Sequence, residues 1–247
     1  MSNKPWYKDW FNSDYYHLLY NNRNDDEAQF FLSNLTQYLA IPTNSKLLDV
    51  ACGKGRHSIT LSKMGFDVTG IDLSENSIIA AKEFETNNLH FFQHDMRKPF
   101  WINYFNYVGN FFTSFGYFRT QREHDNAIRT MAQSLTKEGK LIIDYLNVPF
   151  VEKTTIATEN VVRGEITFHI SKWHDEQHFF KQIQITDPNN LAPKHLYTEK
   201  VAKFRLGDFI KMFADYDLQV QEVFGNYALE SYAEKTSPRL IMIAQKK

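Results

Sequence analysis

The chain has 247 residues with 28 basic and 29 acidic side chains, a formal charge of −1, so bulk charge draws it to neither nucleic acid nor an anionic lipid surface. A single cysteine excludes an intramolecular disulfide framework and a cysteine-based structural zinc site, and no apolar run approaches a membrane span. The length suits one large α/β domain, and the stretch Met1 to Tyr20 has neither a signal-peptide core nor an Arg-rich transit pattern; we expect a cytoplasmic monomer or homodimer.

In chain order, Trp6 to Tyr20 carries too many rings for a disordered tail and is expected to dock on the body, as a seal on the core edge or as an aromatic lid in which Tyr15 or Tyr16 covers a ligand. Asp25-Asp26-Glu27 opens a helix whose apolar residues recur at helical spacing until Pro42. Lys46 to Ser58 then reads as an apolar strand, a tight glycine turn and a helix start, the arrangement that offers unpaired backbone N–H groups to a ligand. Gly53 can take φ > 0, and Gly55 lets a ligand approach the backbone. Ser58 stands where the dinucleotide fingerprint has its third glycine, which moves the reading away from NAD.

The second strand, Asp67 to Asp72, ends in an acid spaced to accept hydrogen bonds from a ribose; Ser74 caps the helix that follows. The third, Leu89 to His94, runs into Asp95-Met96, an acid that could meet an adenine amino group beside an apolar cover for its ring. The fourth, Asn106 to Phe112, leads into Thr113-Ser114-Phe115-Gly116-Tyr117-Phe118, where substrate and cofactor should meet. A helix over Glu123 to Thr136 and a fifth strand, Lys140 to Leu146, complete a βαβ alternation that implies a parallel sheet with right-handed crossovers.

Taken together, the Gly53–Ser58 turn, Asp72, Asp95 and the Ser114–Phe118 segment resemble the class I S-adenosylmethionine-dependent methyltransferases, in wording like a bacterial small-molecule subgroup. The resemblance runs from about Ala28 to the end, interrupted after Phe150. It implies a Rossmann-like, mostly parallel seven-stranded sheet with a terminal antiparallel strand. It also implies S-adenosyl-L-methionine as cofactor, with Asp49, Ala51, Cys52, Gly53, Gly55, Arg56 and His57 under the methionine part. Asp72, Leu73 and Ser74 would lie at the ribose, Asp95 and Met96 at the adenine, and Asn110, Phe111 and Tyr15 would complete the site.

Val151 to about Phe204 switches to short alternating runs, read as an inserted antiparallel β-ribbon above the pocket, and the chain closes with a helix and a strand pair. The expected organisation is a lid over 1–24, a core over 25–150 and 205–247, and the insertion over 151–204. That terminal hairpin is unlike the ending of dinucleotide-binding dehydrogenases. His169, His174, His178 and His195 have no metal-ligand spacing, and no metal is expected. Asn110-Phe111-Phe112-Thr113 is not the Asn/Asp-Pro-Pro-aromatic run of amino-group DNA methyltransferases, and the one thiol lies in the cofactor loop, out of place for cytosine C5 chemistry. The expected activity is methyl transfer to a small-molecule nitrogen or oxygen, with Tyr117, Tyr145 and His169 as candidate base or orienting groups. A cofactor-binding protein without catalysis and an NAD-type oxidoreductase are the alternatives.

Overall fold

The central strands are apolar on both faces, so they require cover on both sides. The computed structural model describes residues 6–20, 25–190 and 195–247. Two short helices, α1 (Trp6–Phe11) and α2 (Asp14–Leu19), precede α3 (Asp25–Tyr38). The alternation follows as β1 (Lys46–Val50), α4 (Arg56–Lys63), β2 (Asp67–Asp72), α5 (Glu75–Lys82), β3 (Leu89–Gln93), β4 (Phe105–Asn110), α6 (Gln121–Ser134) and β5 (Leu135–Leu146). Next come α7 (Val148–Thr154), β6 (Thr158–Arg163), β7 (Ile166–His174), β8 (His178–Thr186) and β9 (His195–Ala202), then α8 (Leu206–Ala214), β10 (Leu218–Phe224) and β11 (Arg239–Lys246).

The described strands form a seven-stranded sheet in the order β10-β11-β5-β4-β1-β2-β3 and a four-stranded sheet in the order β6-β7-β8-β9. β1 to β5 pair in parallel, whereas β11 enters antiparallel between β5 and β10. Strand alternation separates two cores: Leu47, Ile142 and Ile241 turn to the face covered by α3, α4 and α5, and Leu48, Ile143 and Leu240 to the face covered by α6 and α8. A third core lies on the inner face of the smaller sheet, where Phe168, Ile170, Ile183 and Ile185 close over Trp10 and Leu19. The aromatic N-terminal segment therefore breaks at Asn12-Ser13 into two helices, with the Ser13 hydroxyl capping α2 through the Tyr16 N–H at 3.1 Å.

The strand-to-helix turn after β1 is tight: Ala51, Gly53 and Gly55 have φ of 61°, 57° and 85°. The two glycines have different reasons to be there. A Cβ on Gly53 would meet nothing within 4 Å, whereas one on Gly55 would lie 2.5 Å from the Phe91 ring. Gly55 is thus a packing requirement against β3, which corrects the expectation that it makes room for a ligand.

At the carboxyl end of the sheet, Asp144 of β5 is fully buried and faces Arg239 of β11, with Nε donating at 2.8 Å and Nη2 at 2.7 Å to the same oxygen. Replacing Arg239 by Met leaves that carboxylate buried without its partner. We expect a loss of about 3–5 kcal/mol in urea unfolding, and a smaller loss in the double variant with Asp144→Asn. Gly53→Ala should cost about 1–2 kcal/mol for left-handed strain alone, and Gly55→Ala about 2–5 kcal/mol once overpacking against Phe91 is added, read in the same assay.

Candidate active site

The carboxyl ends of β1 to β4 open into a cavity of about 850 Å³ roofed by α1 and α2, at the upper end of the volumes that hold small ligands. Its floor is the turn after β1. Asp49, Ala51, Cys52, Gly53, Lys54, Arg56 and His57 all line it. Asp49 is 1 % exposed, and burial pushes its carboxyl up to about 6, opposed by the Ser58 hydroxyl that donates to it at 2.6 Å. Ser58 therefore occupies the third-glycine position with a specific task, holding a buried acid. The Cys52 thiol is buried and pushed well above its ordinary value by that burial, which keeps it protonated.

On the next strand, Asp72 lines the cavity while one oxygen accepts from the Gly53 N–H at 2.8 Å and the other from the Ser74 N–H at 2.7 Å. A carboxylate offers about four acceptor sites, so both oxygens keep capacity toward the cavity. Burial raises its carboxyl, and those backbone N–H groups work against the rise. Leu73 also faces the cavity, but Ser74 does not: its hydroxyl caps α5 through the Ser77 N–H and donates to Asn12 Oδ1 at 3.0 Å.

Asp95 and Met96 form the far wall. Burial acts to raise the Asp95 carboxyl, but it is outweighed by Arg97, which donates from Nε at 3.0 Å, from Nη2 at 2.7 Å and from its backbone at 3.0 Å; the net direction is down. Arg97 also reaches Glu123 and lies 5.1 Å from the centre of the Phe118 ring. Sequence reasoning passed over Arg97, although an arginine two residues after an acid at a strand end was the available signal.

The edge above β4 is held in an unusual backbone. Phe112 and Thr113 both have positive φ, 55° and 59°. The Phe112 N–H donates to Asp144 Oδ2 at 2.8 Å, the Thr113 N–H to the Asp144 carbonyl at 3.0 Å, and Arg239 Nη2 to the Thr113 hydroxyl at 3.0 Å. Tyr227 completes the set by donating to Asp144 Oδ2 at 3.1 Å. Phe111, Phe112, Ser114, Tyr117 and Phe118 thereby enter the cavity wall, with the Arg56 guanidinium 4.5 Å over Phe112 and His57 packed 5.2 Å from both Phe111 and Phe112. The roof supplies Tyr7, Phe11, Tyr16, His17 and Tyr20, and Tyr117 meets Trp6 and Phe11 edge to face at 5.8 and 5.3 Å.

Several expected site residues lie elsewhere. Tyr145 is fully buried behind the wall; its hydroxyl donates to the Ala202 carbonyl, and burial pushes it well above the ordinary phenol value. His169 sits on the outer face of β7, bonded to Asn160 at 2.9 Å and Thr186 at 3.2 Å, and is not among the residues lining the cavity. Tyr15 points away from the cavity, donating to Asp187 at 2.8 Å; its neighbour Tyr16 is the ring that lines it. Asn110 is buried and is not among the residues lining the cavity; its amide donates to the Val50 carbonyl at 3.0 Å, and its Oδ1 makes no hydrogen bond. Gly55 faces Phe91 as described. Among the described residues no group of three or more His, Cys, Asp or Glu side chains is placed to hold a metal; the His195 side chain lies outside them.

A family model described as a methyltransferase domain matches residues 47–139. The chain is 24% identical over 246 residues, 94% of itself and 97% of the relative, to the "Putative methyltransferase" of Geobacillus sp. (strain WCH70). Over 135 residues, 53% of the chain and 56% of the relative, it is 33% identical to the dTDP-3-amino-3,4,6-trideoxy-alpha-D-glucopyranose N,N-dimethyltransferase of Streptomyces venezuelae. A solved S-adenosylmethionine-dependent methyltransferase from Clostridium acetobutylicum ATCC 824 superposes with a TM-score of 0.77 at 14% identity, covering 94% of this chain and 96% of its own. With β11 inserted antiparallel into an otherwise parallel sheet and an acid at each of three successive strand ends, the chain carries a methyltransferase domain over residues 47–139 and shares the fold of solved S-adenosylmethionine-dependent methyltransferases.

Proposed function

We propose that this enzyme transfers the methyl group of S-adenosylmethionine to a small molecule with a nitrogen or oxygen nucleophile, bound between the aromatic roof and the Phe112–Phe118 edge. One observation carries the reading: a single cavity of about 850 Å³ joins the cofactor loop to a wall of rings, room for a cofactor and a compact acceptor together. The likeness to an N,N-dimethyltransferase of a nucleotide-linked amino sugar supports an amine among the acceptors to be tried first. Unlike a surface groove, a roofed cavity suits a ligand that fits inside, and a net charge of −1 offers nothing to a polyanion.

The residues present fit the cofactor. Gly53 exposes backbone to the cavity with nothing where a Cβ would be, and both Asp72 oxygens keep acceptor capacity. In this assignment the turn from Asp49 to His57 lies under the methionine part, Asp72 takes the ribose hydroxyls, and Leu73, Asp95, Met96 and Phe111 enclose the adenine side. The cofactor supplies a methyl group on a sulfonium, activated for in-line displacement. What remains for the protein is alignment and exclusion of water, for which the strained Phe112–Thr113 backbone, Tyr117 and the roof are placed. The rings of Phe112, Tyr16, Tyr20 and Tyr117 also suit a positive charge within reach of their faces.

The whole chain acts as one methyltransferase domain in this reading, with residues 1–24 as lid and 151–204 as insertion, in the cytoplasm, as a monomer or homodimer. No described helix is long and apolar enough to cross a membrane, and the one thiol is free, as suits a reducing compartment.

Asp72→Ala should weaken S-adenosylhomocysteine binding about 10- to 150-fold, the range of a charge-assisted hydrogen bond, in calorimetry. Unchanged affinity would move the ribose elsewhere. The lid is fastened to α5 by Asn12, whose Oδ1 accepts from the Ser74 hydroxyl and the Asn76 N–H and whose carbonyl accepts from the Asn76 amide. Asn12→Ala should speed hydrogen exchange of Trp10 to Tyr20 and of Leu73 to Ser77 together, with S-adenosylhomocysteine slowing both in the native protein. Exchange that changes in only one of the two segments removes the coupling. A panel of amines, phenols and amino sugar nucleotides, assayed for S-adenosylhomocysteine release, tests the acceptor class.

A further inference from the structure

Three histidines line the cavity, and their surroundings separate them. His94 holds the Lys98 carbonyl at 3.0 Å through Nε2. His57 is wedged between the Phe111 and Phe112 rings at 5.2 Å from each, part of the wall beneath. His17 differs in its place, on α2 in the roof. Its Nε2 is buried and makes no hydrogen bond, while its ring sits edge-on to Tyr16 at 5.5 Å. An unpaired ring nitrogen in a folded protein costs free energy unless a ligand completes it. The roof places it across the cavity from the cofactor turn, whose Lys54 is close enough to act on its charge.

Resting on the function proposed above, we propose that His17 is the general base of the methyl transfer, its Nε2 taking the proton of the acceptor nucleophile. The nucleophile's lone pair forms the bond to the methyl carbon as the carbon–sulfur bond breaks and its electron pair goes to sulfur. The nucleophile's proton passes to Nε2, so the acceptor leaves methylated and the sulfonium charge ends on His17. A base must be neutral before it acts. Burial, then the Lys54 ammonium, lower the His17 imidazolium from its ordinary range, against a smaller opposing pull from Asp14. The other charged groups lining the same cavity are Asp25 of α3, Arg56 and Lys63 of α4, Asp49 and Asp72 on β1 and β2, and Asp95 after β3. Neither the Tyr145 phenol, locked onto Ala202, nor His169 on the outer sheet face reaches the cavity; Tyr117 does, but a neutral phenol is a far weaker base than a neutral imidazole.

The test needs no acceptor. The titration of His17 is followed by NMR, with assignment by His17→Gln, in the protein saturated with S-adenosylmethionine and with S-adenosylhomocysteine, which differ by one positive charge at the transferring methyl. If Nε2 faces that methyl, its apparent pKa is lower by at least about half a unit with S-adenosylmethionine, because a nearby like charge disfavours the imidazolium. Equal titration with both ligands bound overturns the proposal and leaves the cofactor assignment standing. Failure of both ligands to bind in calorimetry overturns the cofactor assignment and His17 with it. With an acceptor from the panel, His17→Gln should cut turnover about 10²- to 10⁴-fold and remove the acidic limb of the pH profile, with S-adenosylhomocysteine affinity within twofold of the native protein. Turnover or a pH profile like the native one also overturns it.

Discussion

The buried pair of Asp144 and Arg239 is the constraint on which the working edge of the sheet depends. Positive φ at two successive non-glycine residues, Phe112 and Thr113, is costly and persists only where the surroundings over-determine it. Here the surroundings are a carboxylate whose oxygens are shared among the Phe112 N–H, the Tyr227 hydroxyl and the Arg239 guanidinium, while the Asp144 carbonyl takes the Thr113 N–H. Arg239 comes from β11, the strand that enters antiparallel, so its first residue lies beside the carboxyl end of β5. A parallel insertion would have put the other end of the strand there. The antiparallel entry of β11 thus also delivers the counter-ion that the edge requires.

Much of the site was legible because parallel strands bring their carboxyl ends to one edge. Once the alternation of strands and helices was read, Asp49, Asp72 and Asp95 had to converge, and the turn with Gly53 had to lie between them. Where the reading failed, the missing information was direction. Tyr15 and Tyr16 are adjacent on a helix and point roughly 100° apart, and only the cap at Ser13 fixes the phase of α2. Tyr145 differs from a cavity residue by the parity of β5, which the sequence leaves open when both faces are apolar. His169 lies on a ribbon whose outer and inner residues alternate, and its inner set is identified by Phe168 and Ile170 only after the lid is seen to cover them.

Other signals were present and unread. Asp144 is a charge inside Leu141-Ile142-Ile143-Asp144-Tyr145, and a lone carboxylate in a central strand demands a buried partner. Arg97 follows Asp95 at a distance that lets one side chain fold onto the other. Asn147-Val148-Pro149 opens α7, with the proline in the first turn where its missing N–H is harmless. Gly55 shows the reverse case: the residue was read correctly and its reason was not, since the ring it must clear, Phe91, lies 36 residues further along the chain.

The attachment of the lid decides what must move when ligands enter or leave. Trp10 is fully buried against the smaller sheet, its indole N–H donates to Glu199 at 2.7 Å, and Tyr20 donates to the same oxygen at 2.8 Å. Peeling α1 and α2 away alone would expose Trp10, Leu19 and the apolar face of four strands, at about 1.5–3 kcal/mol for each large side chain uncovered. The same layer is also held to the large sheet: Asn12 bonds to α5, Trp6 and Phe11 pack on Tyr117, Tyr7 packs on Phe118, and the Ala202 N–H donates to the Gly116 carbonyl. The two N-terminal helices and the four-stranded sheet therefore share one apolar core, and any opening of the cavity on the side of α1 and α2 that keeps Trp10 buried has to carry the sheet with it.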